Sequence, residues 1–350
     1  MTRSAAERIA DVRRLQKAAR NVIENRAALV AEIVESTGLS PEGVELGLTK
    51  HVEVHAHEAE LATLVERAGD VSSVAVVLSA NVFVGALRAI ALARAASDDV
   101  VVRPSRRDPA FARALVEAAN AFGDDQIRID DDLDVAAVEE GEIHVYGRDE
   151  TIAEMRKHAR PSVRLRGHGS GMGVAWISGS AHLEKAARGL ADDVVVFDQR
   201  GCLSPRIALV LGDEARASAL ADALHAELDR LDVSIPRGAV PADERAAAGR
   251  YVATMTYACR ALVGSHHAIG VAPPGAPLVL PPPYRTLHVA ACSSLEDAAK
   301  LLAPLAKGIV TVGSDDAATA RQLAPPWARI ASLGAMQRPP LDGPVDLRDG

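Results

Sequence analysis

The chain has 350 residues, 48% hydrophobic and 25% charged, with a formal net charge of −8. This is ordinary globular composition, and the length predicts about two domains. The acidic balance argues against a nucleic-acid or anionic-membrane binder, and 3% aromatic residues leave too few rings for a base-stacking platform.

The opening MTRSAAERIADVRRLQKAAR is charged throughout and has no apolar core of the kind a signal peptide needs. No run of 18 apolar residues occurs, so no membrane span is expected. From Ala5 to about Lys50 the period is helical, broken at TGLSPEG by Gly38 and Pro41. A second helical stretch covers Glu58 to Ala68. The rhythm then changes. VAVVLSA (74–80) reads as a buried strand, VGALRAIALARAA as a helix, DVVVRPS as a strand and DPAFARALVEAANAF as a helix, with Asp108 as its expected N-cap and Pro109 in its first turn. QIRI, EIHVYG and SVRLRG are further strands, and DETIAEMRKHA is a helix between the last two. Strands alternating with helices predict a parallel sheet wrapped on both faces. After the glycine-alternating GHGSGMG (167–173) comes a second β/α region that ends near IASLG. The Pro-rich 272–284 inside it reads as an ordered loop.

The chain has three cysteines, Cys202, Cys259 and Cys292, an odd number without metal-ligand spacing. A reduced, cytoplasmic protein with no metal site is the expectation. Cys202 stands out in FDQRGCLSPRIALV, flanked by Gly201, Ser204 and Pro205, with Arg200 and Arg206 close by. This is turn composition ahead of a strand, and it suits an exposed or ligand-facing thiol. A structural thiol is the plainer alternative.

The Cys202 segment, LSANVFVGALRAIALA, VVVRPS and the closing ARIASLGAMQRPPLDGPVDLRDG occur in the order found in one superfamily. Over about residues 20–350 the sequence resembles the aldehyde dehydrogenases, and within them the acyl-CoA reductases of the bioluminescence fatty-acid reductase type. The resemblance implies an α/β fold: a Rossmann-type nucleotide-binding domain with the N-terminal helices (1–168), an α/β catalytic domain carrying the cysteine (169–333) and a C-terminal tail (334–350). It also implies roles. Cys202 would form the acyl-enzyme. Asn81, after the first strand, would hold the oxyanion beside the cysteine's own N–H, or else simply cap a helix. Superfamily members that hydrolyse their acyl-enzyme carry a glutamate about thirty residues before the cysteine; the matching segment here is RGHGSGMG, without a carboxylate. Its His168 is a candidate proton donor to the leaving thiol or the nascent alkoxide, or a bystander in a glycine-rich turn.

The adenosine ribose would be held after the second strand, where Arg103, Pro104, Ser105 and Arg106 stand and no acid does. Arginines there accommodate a 2′-phosphate, which favours NADPH and leaves NADH open; a solvated charge cluster is the alternative. Gly147 and Arg148 match the turn bordering the nicotinamide, though a plain strand-to-helix turn explains that glycine equally well. The expected function is NADPH-dependent reduction of an acyl thioester, acyl-CoA or carrier-bound, to an aldehyde. An aldehyde-oxidising dehydrogenase, a glutamyl phosphate reductase relative and a non-catalytic acyl-binding relative are the alternatives. Nothing between Lys50 and Val71 leaves room for the superfamily's oligomerisation hairpin, so homo-oligomerisation stays open.

Overall fold

Helices open the chain in the computed structural model, which describes residues 3–80 and 82–348. The first, α1 (Ala5–Glu24), starts at a capping box: Ser4 Oγ accepts the Glu7 N–H, and the Glu7 carboxylate accepts the Ser4 N–H at 2.7 Å. Val12, Leu15, Ala19 and Val22 form its buried stripe. Then follow α2 (Ala27–Thr37), α3 (Pro41–Lys50) and α4 (Glu58–Ala68). The break at TGLSPEG is where the sequence puts it. A second break separates α1 from α2: Asn25 leaves the helical region, and its side-chain amide donates to the Asn21 carbonyl at 2.9 Å.

The described residues fall into two compact units. One comprises 3–37, 45–170 and 340–348, and the other 38–44 and 171–339. The first is built on β1 (Val74–Val77), α5 (Gly85–Ala96), β2 (Val100–Arg103), α6 (Ala110–Ala121), β3 (Ile127–Ile129), β4 (Glu142–Tyr146), α7 (Asp149–His158) and β5 (Arg164–His168). Its sheet has the order β3-β2-β1-β4-β5 with every pairing parallel, the doubly wound arrangement that a βαβ rhythm predicts. All four residues of β1 are buried, as a strand covered on both faces requires. Helix α6 begins one residue later than its sequence signal. Pro109, in a helical conformation, is the cap whose carbonyl takes the Arg113 N–H, and the buried Asp108 stands one residue ahead of it, its carboxylate facing the Ser36 hydroxyl. Residues 340–348 also belong here: Leu341 is buried with its N–H on the Glu60 carboxylate, and Arg88 donates to the carbonyls of Pro340 and Gly343.

The second unit contains β6 (Met172–Ile177), α8 (Leu183–Val195), β7 (Pro205–Leu211), α9 (Glu214–Ser234), α10 (Ala242–Ala258), β8 (Arg260–Val263), β9 (Ala268–Val271), β10 (Thr286–Cys292), α11 (Leu295–Leu302), β11 (Ile309–Ser314), α12 (Ala317–Leu323) and β12 (Arg329–Ser332). The sheet order is β12-β11-β6-β7-β10-β9-β8, parallel except for the β8–β9 hairpin. Leu190, Val194, Leu220, Leu224 and Leu228 of α8 and α9 cover one face; Ala298, Leu302 and Ala320 of α11 and α12 lie on the other. The Pro-rich 272–284 carries the crossover between the neighbouring parallel strands β9 and β10.

Candidate active site

Cys202 sits in a turn just before β7, closed by the Ser204 N–H on the Gly201 carbonyl at 3.0 Å. The three residues ahead of this turn are held in a conformation their own chemistry resists. Phe197, Asp198 and Gln199 have φ of 52°, 49° and 62°, the left-handed region that costs a non-glycine residue about 1–2 kcal/mol. Long-range partners hold them there. Gln199 Nε2 donates to the carbonyls of Pro205 (2.7 Å) and Thr286 (2.9 Å), while its Oε1 accepts the Thr286 N–H at 2.8 Å. The buried Asp198 pairs with the buried Arg285 at 2.8 Å and accepts the Gly238 N–H at 2.9 Å. Tyr284 and Arg285, opposite, are themselves left-handed, and the Tyr284 N–H bonds the Asp198 carbonyl. Strain over-determined in this way gathers where a side chain must be presented in one orientation.

Glycines let β6 approach the cysteine. A Cβ on Gly173 would lie 2.5 Å from the Leu203 carbonyl oxygen, and one on Gly171 would lie 2.7 Å from Val310 and 3.3 Å from Cys202 Cβ. Two glycines of GHGSGMG are therefore required by close packing. The Gly173 N–H binds the Ser204 carbonyl at 2.8 Å, which ties the turn to β6. Arg200 braces the same turn through its Nε on the Phe197 carbonyl, and burial pushes the Arg206 pKa down to about 10. The other thiols differ. Cys292 is buried, donates to the Val210 carbonyl and has its pKa pushed up to about 12 by desolvation. Cys259 ends α10 beside Glu214, a more polar place than its sequence context implies, and burial followed by that carboxylate raises its pKa.

In the first unit, the carboxyl ends of β1, β2, β4 and β5 share one edge of the parallel sheet, where α/β folds place nucleotide ligands. Arg103–Arg106 follow β2, Gly147 and Arg148 follow β4, and His168 ends β5. Asn81 lies outside the described residues; the ladder after β1 continues to Leu78, whose N–H binds the Arg103 carbonyl. Arg103 is half-buried, with its Nη1 on the Leu133 carbonyl at 2.8 Å, and burial followed by repulsion from Arg106 lowers its pKa. Pro104 is buried and Arg106 is exposed. Ser105 turns the chain, its carbonyl accepting the Asp108 N–H. Gly147 has no positive φ and no close neighbour, so space does not demand glycine there. Arg148 is the N-cap residue of α7.

His168 stacks on Tyr146 with ring centroids 4.4 Å apart, and its Nε2 is buried with no hydrogen-bond partner. Desolvation, reinforced by His144, pushes its pKa down to about 3. The imidazole is therefore neutral at pH 7. It borders a cleft of about 300 Å³ with Arg67, Arg164, Arg166, Asp346 and Arg348. Three of these arginines are paired, Arg166 with Glu142, Arg67 with Asp342 and Arg348 with Asp346, while the exposed Arg164 stands 3.8 Å from Glu142. Against the glycine segment, Asp149 accepts the Ser170 N–H at 2.8 Å.

Comparison with known proteins agrees with this architecture. The model of the acyl-CoA reductase (LuxC) family matches residues 65–349. A long-chain acyl-protein thioester reductase from Aliivibrio fischeri is 26% identical over 183 residues. The match spans 49% of the present chain and 38% of that relative's length. Among solved structures, an NAD-dependent aldehyde dehydrogenase from Sinorhizobium meliloti superposes with a TM-score of 0.70 at 16% identity, covering 99% of this chain and 76% of the other. A γ-glutamyl-γ-aminobutyraldehyde dehydrogenase from Burkholderia cenocepacia gives 0.68 at 16% identity, covering 90% and 73%. At such identity the structural likeness concerns the fold, which is that of the aldehyde dehydrogenases. Among the described residues, no helix is long and apolar enough to cross a membrane.

Proposed function

The chain belongs to the acyl-CoA reductase (LuxC) family, and from that premise we propose that it reduces an acyl thioester to an aldehyde through an acyl-enzyme on Cys202. The observation that carries this reading is the clamped left-handed turn Phe197–Gln199, a costly device that presents one thiol, of three, ahead of a central strand. As thiolate, Cys202 attacks the thioester carbonyl, and the substrate's thiol departs with its electron pair. Asn81 is the proposed oxyanion donor. His168 enters only as a neutral imidazole, able to donate a hydrogen bond but not to act as a strong acid at pH 7.

The carboxyl edge of the five-stranded sheet suits a nicotinamide dinucleotide: it offers backbone turns after adjacent parallel strands, and Arg106 stands exposed next to Arg103. When bound, that cofactor supplies the hydride. Arg103 through Arg106, Gly147 and Arg148 are the proposed contacts, with Arg106 selecting the 2′-phosphate of NADPH. No carboxylate in 167–173 is placed to activate water, which spares the acyl-enzyme from hydrolysis and favours reduction over aldehyde oxidation.

The test is to incubate the protein with acyl-CoA in the absence of reduced cofactor. Intact-mass spectrometry is expected to show a lasting acyl adduct that is missing in Cys202→Ala, and adding NADPH should discharge it as aldehyde. Rapid release of free acid, or an adduct retained in Cys202→Ala, would overturn the proposal.

A further inference from the structure

Away from the cysteine, His225, Asp229 and His267 converge where α9 passes the β8–β9 hairpin, each offering a ligand atom within 4.8 Å of the others. His225 and Asp229 stand four residues apart, one turn of α9, so both project from the same face. His267 reaches them from the hairpin turn. His225 Nδ1 lies 2.8 Å from His267 Nε2, and the Asp229 carboxylate lies 3.6 Å from His225 Nε2 and 3.8 Å from His267 Nδ1. Ligands about 2.0–2.1 Å from a tetrahedral ion stand roughly 3.4 Å apart, so ring rotations and side-chain shifts of about 1 Å bring one donor from each residue, now within 4.8 Å of one another, into that range.

Two further features support a built site. Gly264, in the same turn, leaves room for it: a Cβ there would run into the His267 ring and lie 2.8 Å from Asp229 Oδ1. The nearby Asp232 is already engaged by His266 and Arg285, so the ligand set is these three side chains. Two imidazoles and one carboxylate are the donors that zinc and its neighbours prefer, whereas calcium and magnesium take oxygen.

We propose that His225, Asp229 and His267 form a binding site for one divalent transition ion of the zinc class, pinning the edge hairpin β8–β9 to α9. The ion would be structural. It joins two segments 42 positions apart and lies on secondary structure that does not include Cys202.

Tag-free full-length protein, stripped with chelator, should be titrated with Zn²⁺ by calorimetry and with Co²⁺ by visible absorption. We expect one ion per chain with micromolar or tighter affinity (about 10⁻⁶ M), ligand-field bands without a thiolate charge-transfer band, and a rise in Tm with added ion. His225→Ala and Asp229→Ala, at partly exposed positions where folding tolerates change, should each weaken binding at least about tenfold. Gly264→Ala should do the same while keeping all three ligands. Circular dichroism confirms that each variant is folded. Unchanged affinity in His225→Ala, or a thiolate band that vanishes in Cys202→Ala, would place the ion elsewhere and overturn the proposal.

Discussion

Replacing Gln199 with leucine removes the clamp on the cysteine turn while leaving the nucleophile intact. The amide makes three buried hydrogen bonds, to the Pro205 carbonyl and to both backbone groups of Thr286. If the backbone stayed in place, orphaning those groups would cost about 1–3 kcal/mol each, roughly 3–9 in all. The left-handed Phe197, Asp198 and Gln199 store about 1–2 kcal/mol apiece, and unwinding the turn returns a similar total. The strain returned offsets most of that cost, so the turn should relax and the domain should stay folded, with a net stability loss of about 1–2 kcal/mol. Relaxation displaces Cys202, and misplacement by about 1 Å costs on the order of a hundredfold in rate. The assay pairs acyl-CoA reduction with urea unfolding and NADPH binding. Expected are a kcat down by about a hundredfold, a small fall in the unfolding midpoint and unchanged NADPH affinity. Wild-type turnover in a Gln199→Leu protein would refute the reasoning, because the turn would then hold its thiol without the clamp.

Three further expectations follow from other parts of the structure. Arg106→Glu should reverse a preference for NADPH over NADH of about tenfold in kcat/KM, and that preference should shrink with salt; equal use of both cofactors by the wild type would mean that Arg106 only faces solvent. His168→Gln should leave the shape of the kcat–pH profile between pH 5.5 and 8 unchanged, since an imidazole with pKa near 3 does not titrate there; loss of a limb near pH 6.5 would show that the ring ionises during turnover. Stability should fall on acidification through His288, fully buried against the Tyr251 hydroxyl, whose pKa desolvation pushes down to about 4. The unfolded chain binds this proton below about pH 6.5 and the folded one only near 4, so stability present above 6.5 is lost between those values, by up to about 3 kcal/mol. His288→Leu should flatten that part of a Tm–pH curve, and an unaltered slope would refute the assignment.

What the sequence by itself determined are features whose causes lie within a turn or two. The span of α4, the βαβ rhythm from Val74 to His168 and the turn around Cys202 follow from side-chain period and from glycine and proline, and the two sheets are built on them. Tertiary structure decided everything whose partner is distant. No local preference places Phe197, Asp198 and Gln199 in the left-handed region; Thr286 and Arg285, 87 positions on, impose it through buried bonds stronger than the local bias. The glycines of GHGSGMG have no local reason in the sequence, and Gly171 and Gly173 are small because Val310 and the Leu203 carbonyl press against them. Arg103 reads as a free cation after a strand until the Leu133 carbonyl takes its guanidinium. His225 and His267 share no spacing that a scan along the chain would notice; folding α9 against the β8–β9 hairpin closes that distance, because burying the apolar face of α9 on the sheet leaves its polar side at the strand edge.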